Sequence, residues 1–152
     1  MSQRVLELKD FAEVSAEVDR LYDGGYTRLG QWDLAQICDH LSYFIEGSLE
    51  GFNFRVPWLL KFFFGGMTLR KILKKRRFKP NTPTPQKPLP EPGGDDAAAV
   101  IRFKAMLTRL QAHTKEFHDS PFFGHLSPDQ WREMHLIHCN HHLAYLSPKS
   151  NT

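Results

Sequence analysis

The sequence predicts an all-α fold, a four-helix bundle formed by one domain. A chain of 152 residues is long enough for one ordinary hydrophobic core. Four segments carry apolar residues at three- and four-residue spacing, the period of a helix, and no segment shows the strict alternation of a convincing strand. A single long crossover separates the second helical segment from the third, as in some four-helix bundles. We therefore expect residues 1–152 to form one helical domain.

The first two helices are predicted from their apolar faces and their ends. The first runs from Val5 to about Tyr22 and stops at the sequence "DGG". The second follows Asp33, whose carboxylate can cap the free amides of the first turn. It ends near "EGF", and its apolar side carries Ile37, Leu41, Phe44 and Ile45.

The crossover, residues 51–94, is predicted to contain short amphipathic helices and a proline-rich loop. Its first part, "VPWLLKFFFGGMTLRKILKKRRF", is interpreted as one or two helices broken at Gly65 and Gly66. Its second part carries six prolines, which fix φ and remove amide donors, so it must be extended. Residues 51–90 contain ten Lys and Arg and no acid, so the basic character of the chain is confined to this region.

The third and fourth predicted helices follow the crossover. The third begins at "GGDD", where the aspartates suit a helix amino terminus, and extends to Phe117. The fourth begins at "LSPDQW", in which Ser127 is a cap and Pro128 fits the first helical position. Gln130 can complete a capping box with Ser127. This is the clearest helix start in the chain.

Several classes of protein are disfavoured by the sequence. The first residues lack the basic leader and apolar run of a signal peptide, so a cytoplasmic location is expected. The most apolar stretch, residues 56–67, is shorter than the roughly 20 residues that cross a bilayer. Cys38 and Cys139 form no CxxC pattern, so neither a disulfide framework nor a thiolate zinc site is indicated. The basic segment carries no recognised nucleic-acid motif, so binding to nucleic acid is not expected.

Four of the eight histidines lie on the fourth predicted helix. At about 100° per residue, His138 and His142 lie one turn apart and within about 40° of each other, so their imidazoles can converge on one ion. A catalytic site typically takes three protein ligands and leaves a position open, and the best third candidate is His40 in the second helix. The pattern predicts a divalent transition metal such as zinc, nickel or iron. The alternative is a polar face that happens to be rich in imidazole.

Four other side chains lie near these histidines. On the helical wheel His135 and His141 flank the pair at about 60° on either side. Tyr43 and Tyr145 also lie near the histidine faces. A structural role is favoured for each of the four. The functional alternative is hydrogen bonding to a metal ligand for the two histidines, and lining the pocket or donating a hydrogen bond to an oxyanion for the two tyrosines.

The opposite side of the fourth helix is also apolar. Leu136 and Leu143 lie largely opposite the histidines and could be the true core face, with the imidazoles in water. We instead expect a helix that is apolar on both sides, with the two leucines covered by residues 56–77 or by a second subunit. A homodimer is therefore an open alternative.

Two segments carry a family resemblance. The sequences "WDLAQICDHL" and "FFGHLSPDQWREMHLIHCNHHLAYL" resemble the DinB-like superfamily of metalloenzymes, in a branch known as a domain of unknown function whose last helix carries HxxHxxHH. The resemblance covers most of the chain except the basic and proline-rich middle. It implies a four-helix bundle that binds a divalent metal through His40, His138 and His142.

The resemblance also bears on the reaction. Some DinB-like proteins are thiol-dependent transferases or isomerases that use bacillithiol, mycothiol or glutathione, which implies a low-molecular-weight thiol as a candidate cofactor. Three neutral imidazoles leave the metal its full charge to activate water or a thiol, so we expect a hydrolase or a thiol S-transferase acting on a small molecule. Many DinB-like proteins continue the double histidine with Arg-Gly-Gln, whereas this chain has Leu143, Ala144 and Tyr145. The alternative is a non-catalytic helical binding or dimerisation module.

The basic part of the crossover, within residues 61–79, has three interpretations. Its charges could hold an anionic thiol cofactor or phosphate over the pocket. They could instead attach the protein to an acidic membrane surface, beside exposed aromatic side chains. We favour the third, an amphipathic element that packs its aromatic side on the bundle and solvates its charges. The aromatic residues in question are Trp58, Phe62, Phe63 and Phe64.

Overall fold

The computed structural model describes residues 2–80, 82, 84, 86 and 88–150, apart from the side chain of Phe64. Over these residues the fold is mainly helical, as predicted, with six α-helices, one π-helical turn and a two-stranded sheet. The elements in chain order are α1 (Phe11–Gly24), β1 (Tyr26–Arg28), α2 (Leu34–Glu50), α3 (Trp58–Leu60), the π-helical turn (Lys61–Gly65), α4 (Gly66–Lys75), α5 (Asp96–Ala112), α6 (Pro128–Leu143) and β2 (Leu146–Pro148).

Helix α1 begins at Phe11, so the prediction that it starts at Val5 is wrong. Asp10 caps its first turn through its carboxylate. The preceding residues are not helical because their backbone groups find partners on α6. The amide of Leu8 donates to the side chain of Asn140 at 2.8 Å, and the amide of that side chain donates to the Leu8 carbonyl at 3.0 Å.

Helix α2 has the predicted cap. The carboxylate of Asp33 accepts from the Gln36 amide at 2.8 Å, and the Gln36 side chain accepts from the Asp33 amide at 3.0 Å. This capping box satisfies donors that a helix start leaves free. Near the other end, Gly47 permits close packing of Phe52, since a Cβ at this position would lie 2.4 Å from the ring.

The crossover helices are continuous through Gly65 and Gly66, so the predicted break is wrong. Both glycines have ordinary helical φ values, −61° and −66°, and the chain passes from α3 through the π-helical turn into α4. The glycine at position 65 serves close packing instead, because a Cβ there would lie 2.8 Å from the carbonyl oxygen of Phe122. Among the described helices, none has the length and apolar character needed to cross a membrane.

Helix α5 ends earlier than predicted. Helix α5 stops at Ala112, and Phe117 is buried in the core from a non-helical position. The start of α6 is confirmed, since Ser127 and Gln130 form the capping box. Its end is at Leu143 because the chain then turns into strand β2.

The small sheet was not predicted. Strand β2 pairs antiparallel with β1, and Thr27 lies opposite Ser147 in the register. Each strand has three residues, too few for an alternating pattern to be recognised in the sequence.

The main core lies between four helices. Helix α2 packs against α5 and α6, and α1 packs against the same two. The predicted cover of Leu136 and Leu143 is wrong, because both leucines lie within this main core. The crossover covers a different part of α6, where Ile72 packs with Met134 and Ile137. Helix α6 is therefore buried along two apolar strips.

Candidate metal centre

The structure brings together the three histidines that the sequence singled out. Helix α2 supplies His40, and α6 supplies His138 and His142 from successive turns. One ligand-capable nitrogen from each ring lies within 4.8 Å of the other two. The Nε2 atoms of His40 and His138 lie 3.2 Å apart. We refer to these three residues as the histidine triad.

The triad is partly accessible. His40 is buried, whereas His138 and His142 are half-buried. The three rings lie edge to face, with centroids between 4.5 and 5.0 Å apart. One side of the cluster therefore faces the interior between α2 and α6, and the other can meet a small molecule from solvent.

Gln86 fixes the orientation of the buried imidazole. Its Oε1 atom lies 2.6 Å from Nδ1 of His40. An amide oxygen can only accept, so Nδ1 carries the proton and the Nε2 lone pair of His40 points toward His138. The sequence analysis missed Gln86, a buried residue of the proline-rich run. The one feature of the sequence that could have indicated Gln86 as a hydrogen-bond partner is its amide side chain, which stands among Pro, Thr and Lys.

All three imidazoles are held in the neutral form. Burial, with a smaller effect of the nearby His141, lowers the pKa of His40 to about 4 against the opposing effect of the hydrogen bond to Gln86. Burial, followed by repulsion from the neighbouring imidazoles, puts the pKa values of His138 and His142 well below the usual range. Neutral imidazole is the form that binds a metal ion.

Aromatic rings form the walls around the triad. Trp32 stacks on His142 with centroids 5.6 Å apart and planes 12° from parallel. Phe44 and Phe78 meet His138 edge-on, at 5.2 and 5.5 Å. These walls lower the local polarity and restrict ring rotation.

His135 is near the triad in sequence but is bound elsewhere. Its Nε2 lies 2.8 Å from the hydroxyl of Ser48, and its ring stacks on Trp131 with centroids 5.1 Å apart. Burial lowers its pKa to about 3. Within the described residues it makes no hydrogen bond to the triad, which fits the structural role that the sequence analysis favoured.

The side chains of the other three candidates make no hydrogen bond to a triad imidazole, as far as the described residues show. The ring of His141 is 4.8 Å from that of His142, and Tyr145 packs on His141 at 5.6 Å. The phenol of Tyr43 donates to Asn53. In the described part of the chain, Gln86 is thus the one residue outside the triad whose side chain hydrogen-bonds to a triad imidazole.

Two clefts lie away from the triad. A cleft of about 420 Å³ is lined by residues 51–56, without Asn53, and by 118–121, together with Lys61. A smaller one of about 260 Å³ is lined by Tyr43, Glu46 and neighbouring residues. Asp39, next to His40 in sequence, points away and pairs with Arg102 at 2.9 Å. A ligand at the triad would therefore lie outside these two clefts and would meet the aromatic rings around the histidines.

One comparison with known proteins identifies a family. A family model described as a protein of unknown function (DUF1569) matches residues 1–149. The chain belongs to the DUF1569 family. No curated protein and no solved structure matches it. The description of DUF1569 gives no activity, so the chemistry of this DUF1569 protein has to be argued from its own residues.

Proposed function

We propose that this DUF1569 protein is a DinB-like metalloenzyme that binds a divalent transition metal at His40, His138 and His142. The observation that carries the proposal is the convergence of the three ligand nitrogens within 4.8 Å. Tetrahedral zinc with Zn–N bonds of about 2.0–2.1 Å holds its ligand nitrogens about 3.3 Å apart. The 3.2 Å between the Nε2 atoms of His40 and His138 is close to that value.

The donor set also fits a metal. The hydrogen bond from His40 to Gln86 leaves the Nε2 lone pair of His40 facing the ring nitrogen of His138. That lone pair can accept a hydrogen bond from His138 when the neutral ring of His138 carries its proton on Nε2, and both nitrogens can bind one cation when it does not. Because burial lowers the pKa of both rings, they stay neutral, and neutral imidazole is the form that binds a metal ion.

The residues around the triad have definable roles. Gln86 orients His40, and the rings of Trp32, Phe44 and Phe78 exclude water from the buried side. Three neutral ligands leave a bound divalent ion its full charge, which supplies Lewis acidity toward water or a thiol. The half-buried side, at His138 and His142, is where a small-molecule substrate would approach. We infer a hydrolase or a thiol-dependent transferase.

The packing of the longer helices supports the DinB-like part of the proposal. Helices α1, α2, α5 and α6 pack pairwise around the main core. The long crossover between α2 and α5 is the connection expected of such a bundle. Metal sites in bundles are typically formed by side chains on facing helices, as the triad is.

A second candidate function is a non-catalytic binding or dimerisation module. The observation that favours it is the location of the two clefts of about 420 and 260 Å³, which are lined by residues other than the triad. In that case the aromatic rings around the histidines are core packing. A cytoplasmic location stays a prediction under both functions.

The test is the metal content of untagged protein. We expect about one equivalent of a transition metal in the wild type and loss of that metal in His40→Ala and in His138→Ala. His125→Ala is the matched control, because His125 is 70% exposed and lies outside the triad. A folded wild-type protein that takes up no zinc, nickel or iron would favour the binding module.

A second assay separates the two reactions. The metal-loaded protein is supplied with a p-nitrophenyl ester, and separately with glutathione and 1-chloro-2,4-dinitrobenzene. Ester cleavage that is lost in His138→Ala supports a hydrolase, and conjugation that is lost in the same variant supports a thiol transferase. Binding of one metal equivalent with neither activity on a broader substrate panel would favour the module.

A further inference from the structure

The crossover exposes an apolar surface that the sequence analysis expected to be packed. Trp58 is 71% exposed and Phe62 is 75% exposed. The side chains of Leu59, Leu60, Phe63 and Met67 are also at least half exposed. The predicted packing of the aromatic side on the bundle is therefore wrong. Phe64, the fourth aromatic residue of that prediction, has a side chain outside the description. We call the exposed set the apolar end, and it consists of Trp58, Leu59, Leu60, Phe62, Phe63 and Met67.

The apolar end belongs to a crossover segment that is packed on the bundle. Helix α4 is attached to α6 by Ile72, which is buried against Met134 and Ile137. Gly65 lets the π-helical turn approach the loop at Phe122 closely. The exposed side chains therefore project from a packed element, and no further folding is needed to present them.

Basic residues follow immediately along the same element. Residues 70–79 contain seven bases, all of them exposed, and residues 51–90 contain no acid. Within the described residues, Arg76 is the one base of this stretch in an ion pair, and its partner is Glu133. We call the exposed set the basic stretch, and it consists of Arg70, Lys71, Lys74, Lys75, Arg76, Arg77 and Lys79.

We infer that the apolar end and the basic stretch together bind the surface of an anionic lipid bilayer. An interfacial helix combines Trp, Phe and Leu that enter the boundary of the acyl chains with Lys and Arg that meet acidic headgroups. The apolar end supplies the first set and the basic stretch supplies the second. Trp58 is also suited to the interface, since an indole has an apolar ring and one polar N–H.

Charge argues against the two other occupants. A symmetric dimer through this surface would place each basic stretch near its own copy, with no acid in residues 51–90 to offset the repulsion. A nucleic acid would satisfy the bases, but Leu59, Leu60 and Met67 would stay in water, because phosphates and sugars offer them no apolar partner. A lipid bilayer satisfies both halves of the surface.

The test is co-sedimentation of the full-length protein with vesicles. We expect binding to vesicles of phosphatidylcholine mixed with phosphatidylglycerol, little binding to phosphatidylcholine alone, and weaker binding at high salt. A blue shift of the tryptophan fluorescence that is lost in Trp58→Phe would place the apolar end in the bilayer.

Two variants test the apolar end and the basic stretch separately. Phe62→Ser/Phe63→Ser removes exposed rings, and Arg70→Gln/Lys71→Gln/Lys74→Gln/Lys75→Gln removes charge. Each should weaken binding to the anionic vesicles by about tenfold or more. The matched controls, Val5→Ser/Ile101→Ser and Lys9→Gln/Lys115→Gln, change exposed residues elsewhere and should bind as the wild type does. Unchanged far-ultraviolet circular dichroism verifies the fold of each.

Three results would overturn the inference. The first is folded wild-type protein that does not bind the anionic vesicles. The second is binding that Phe62→Ser/Phe63→Ser leaves unchanged, together with equal affinity for a DNA duplex, which would indicate a general polyanion surface. The third is a dimer in solution that the same double variant dissociates, which would assign the apolar end to a second copy.

Discussion

His135 and His138 lie one turn apart on the same helix, and the difference between them shows what distinguishes a ligand from a core histidine. Burial lowers the pKa of both. His135 bonds to the hydroxyl of Ser48 and stacks on Trp131, so its Nε2 atom already has a hydrogen-bond partner within the protein. His138 meets another imidazole nitrogen at 3.2 Å. Burial keeps an imidazole neutral, but only the convergence of ring nitrogens provides a place for an ion.

The largest expected difference is in zinc binding. His138→Ala should abolish the stabilisation by zinc, whereas His135→Ala should lower the stability of the metal-free protein and keep the response to zinc. A ligand that binds only the folded state adds about 2.7 kcal/mol at a hundredfold excess over its Kd. Thermal unfolding with and without zinc measures this for each variant. Equal loss of the zinc response in both variants would contradict the claim that His138 is a metal ligand and His135 is not.

The next effect is acid destabilisation of the metal-free protein. The folded-state pKa values of His40 and His135 are lowered from 6.5 to about 4 and about 3, so the unfolded chain binds more protons in that range. Stability that is present above pH 6.5 should therefore be lost as the pH falls toward 4 and below. Urea unfolding with a chelator measures the change. A free energy of unfolding that stays constant from pH 7 to pH 4 would contradict the account.

Zinc should delay this loss in the wild type but not in His138→Ala. The metal competes with protons for the triad nitrogens, so occupancy holds the triad neutral to lower pH. His135 is outside the triad and should contribute the same acid sensitivity with or without zinc. Repeating the urea series with zinc in place of the chelator separates the two contributions.

A smaller effect is expected at Gln86. Gln86→Ala removes the acceptor that orients His40, and loss of such a partner typically weakens metal binding by about 10- to 100-fold. Gln111→Ala, at an exposed position on α5, is the control. Competition with a chromophoric zinc chelator gives both affinities. If the Gln86 variant binds zinc as tightly as the control, the hydrogen bond has no part in the site.

The smallest effect concerns the hydrogen bond between Ser48 and His135. The Ser48 hydroxyl donates to the Ile45 carbonyl and accepts from His135, so Ser48→Ala leaves a buried N–H unpaired at a cost of about 1–3 kcal/mol. Ser42→Ala is the matched control, because the buried Ser42 hydroxyl has no partner among the described atoms. Chemical denaturation should show destabilisation at position 48 alone. Zinc affinity should be unchanged in both variants.

The parts of the structure that were predictable are those set by neighbouring residues. The caps at Asp33 and Ser127 act within three residues, so the sequence contains the whole interaction. The pairing of His138 with His142 follows from the helical period alone. His40 was harder to predict as a third ligand, because its distance from the two histidines of α6 depends on how α2 packs on that helix. The one signal in the sequence is that it is a lone histidine beside an apolar face.

The parts that were missed depend on contacts between distant segments. Gln86 reaches His40 from the proline-rich run, where no periodicity indicates a direction. The extended residues before α1 are set by the side chain of Asn140 on α6. Trp58 is exposed because the crossover packs on α6 through Ile72 of α4 and not through its aromatic side. Amphipathic spacing alone does not show which side of the crossover packs on the bundle.

The most direct test of the triad is X-ray absorption at the zinc edge of protein loaded with one equivalent of zinc. We predict a first shell of nitrogen and oxygen at about 2.0–2.1 Å, with the outer-shell scattering of three imidazoles. That scattering should be reduced in His138→Ala and unchanged in His135→Ala. A shell that contains sulfur at about 2.3 Å, or one with no imidazole scattering, would contradict the assignment of His40, His138 and His142 as the metal ligands.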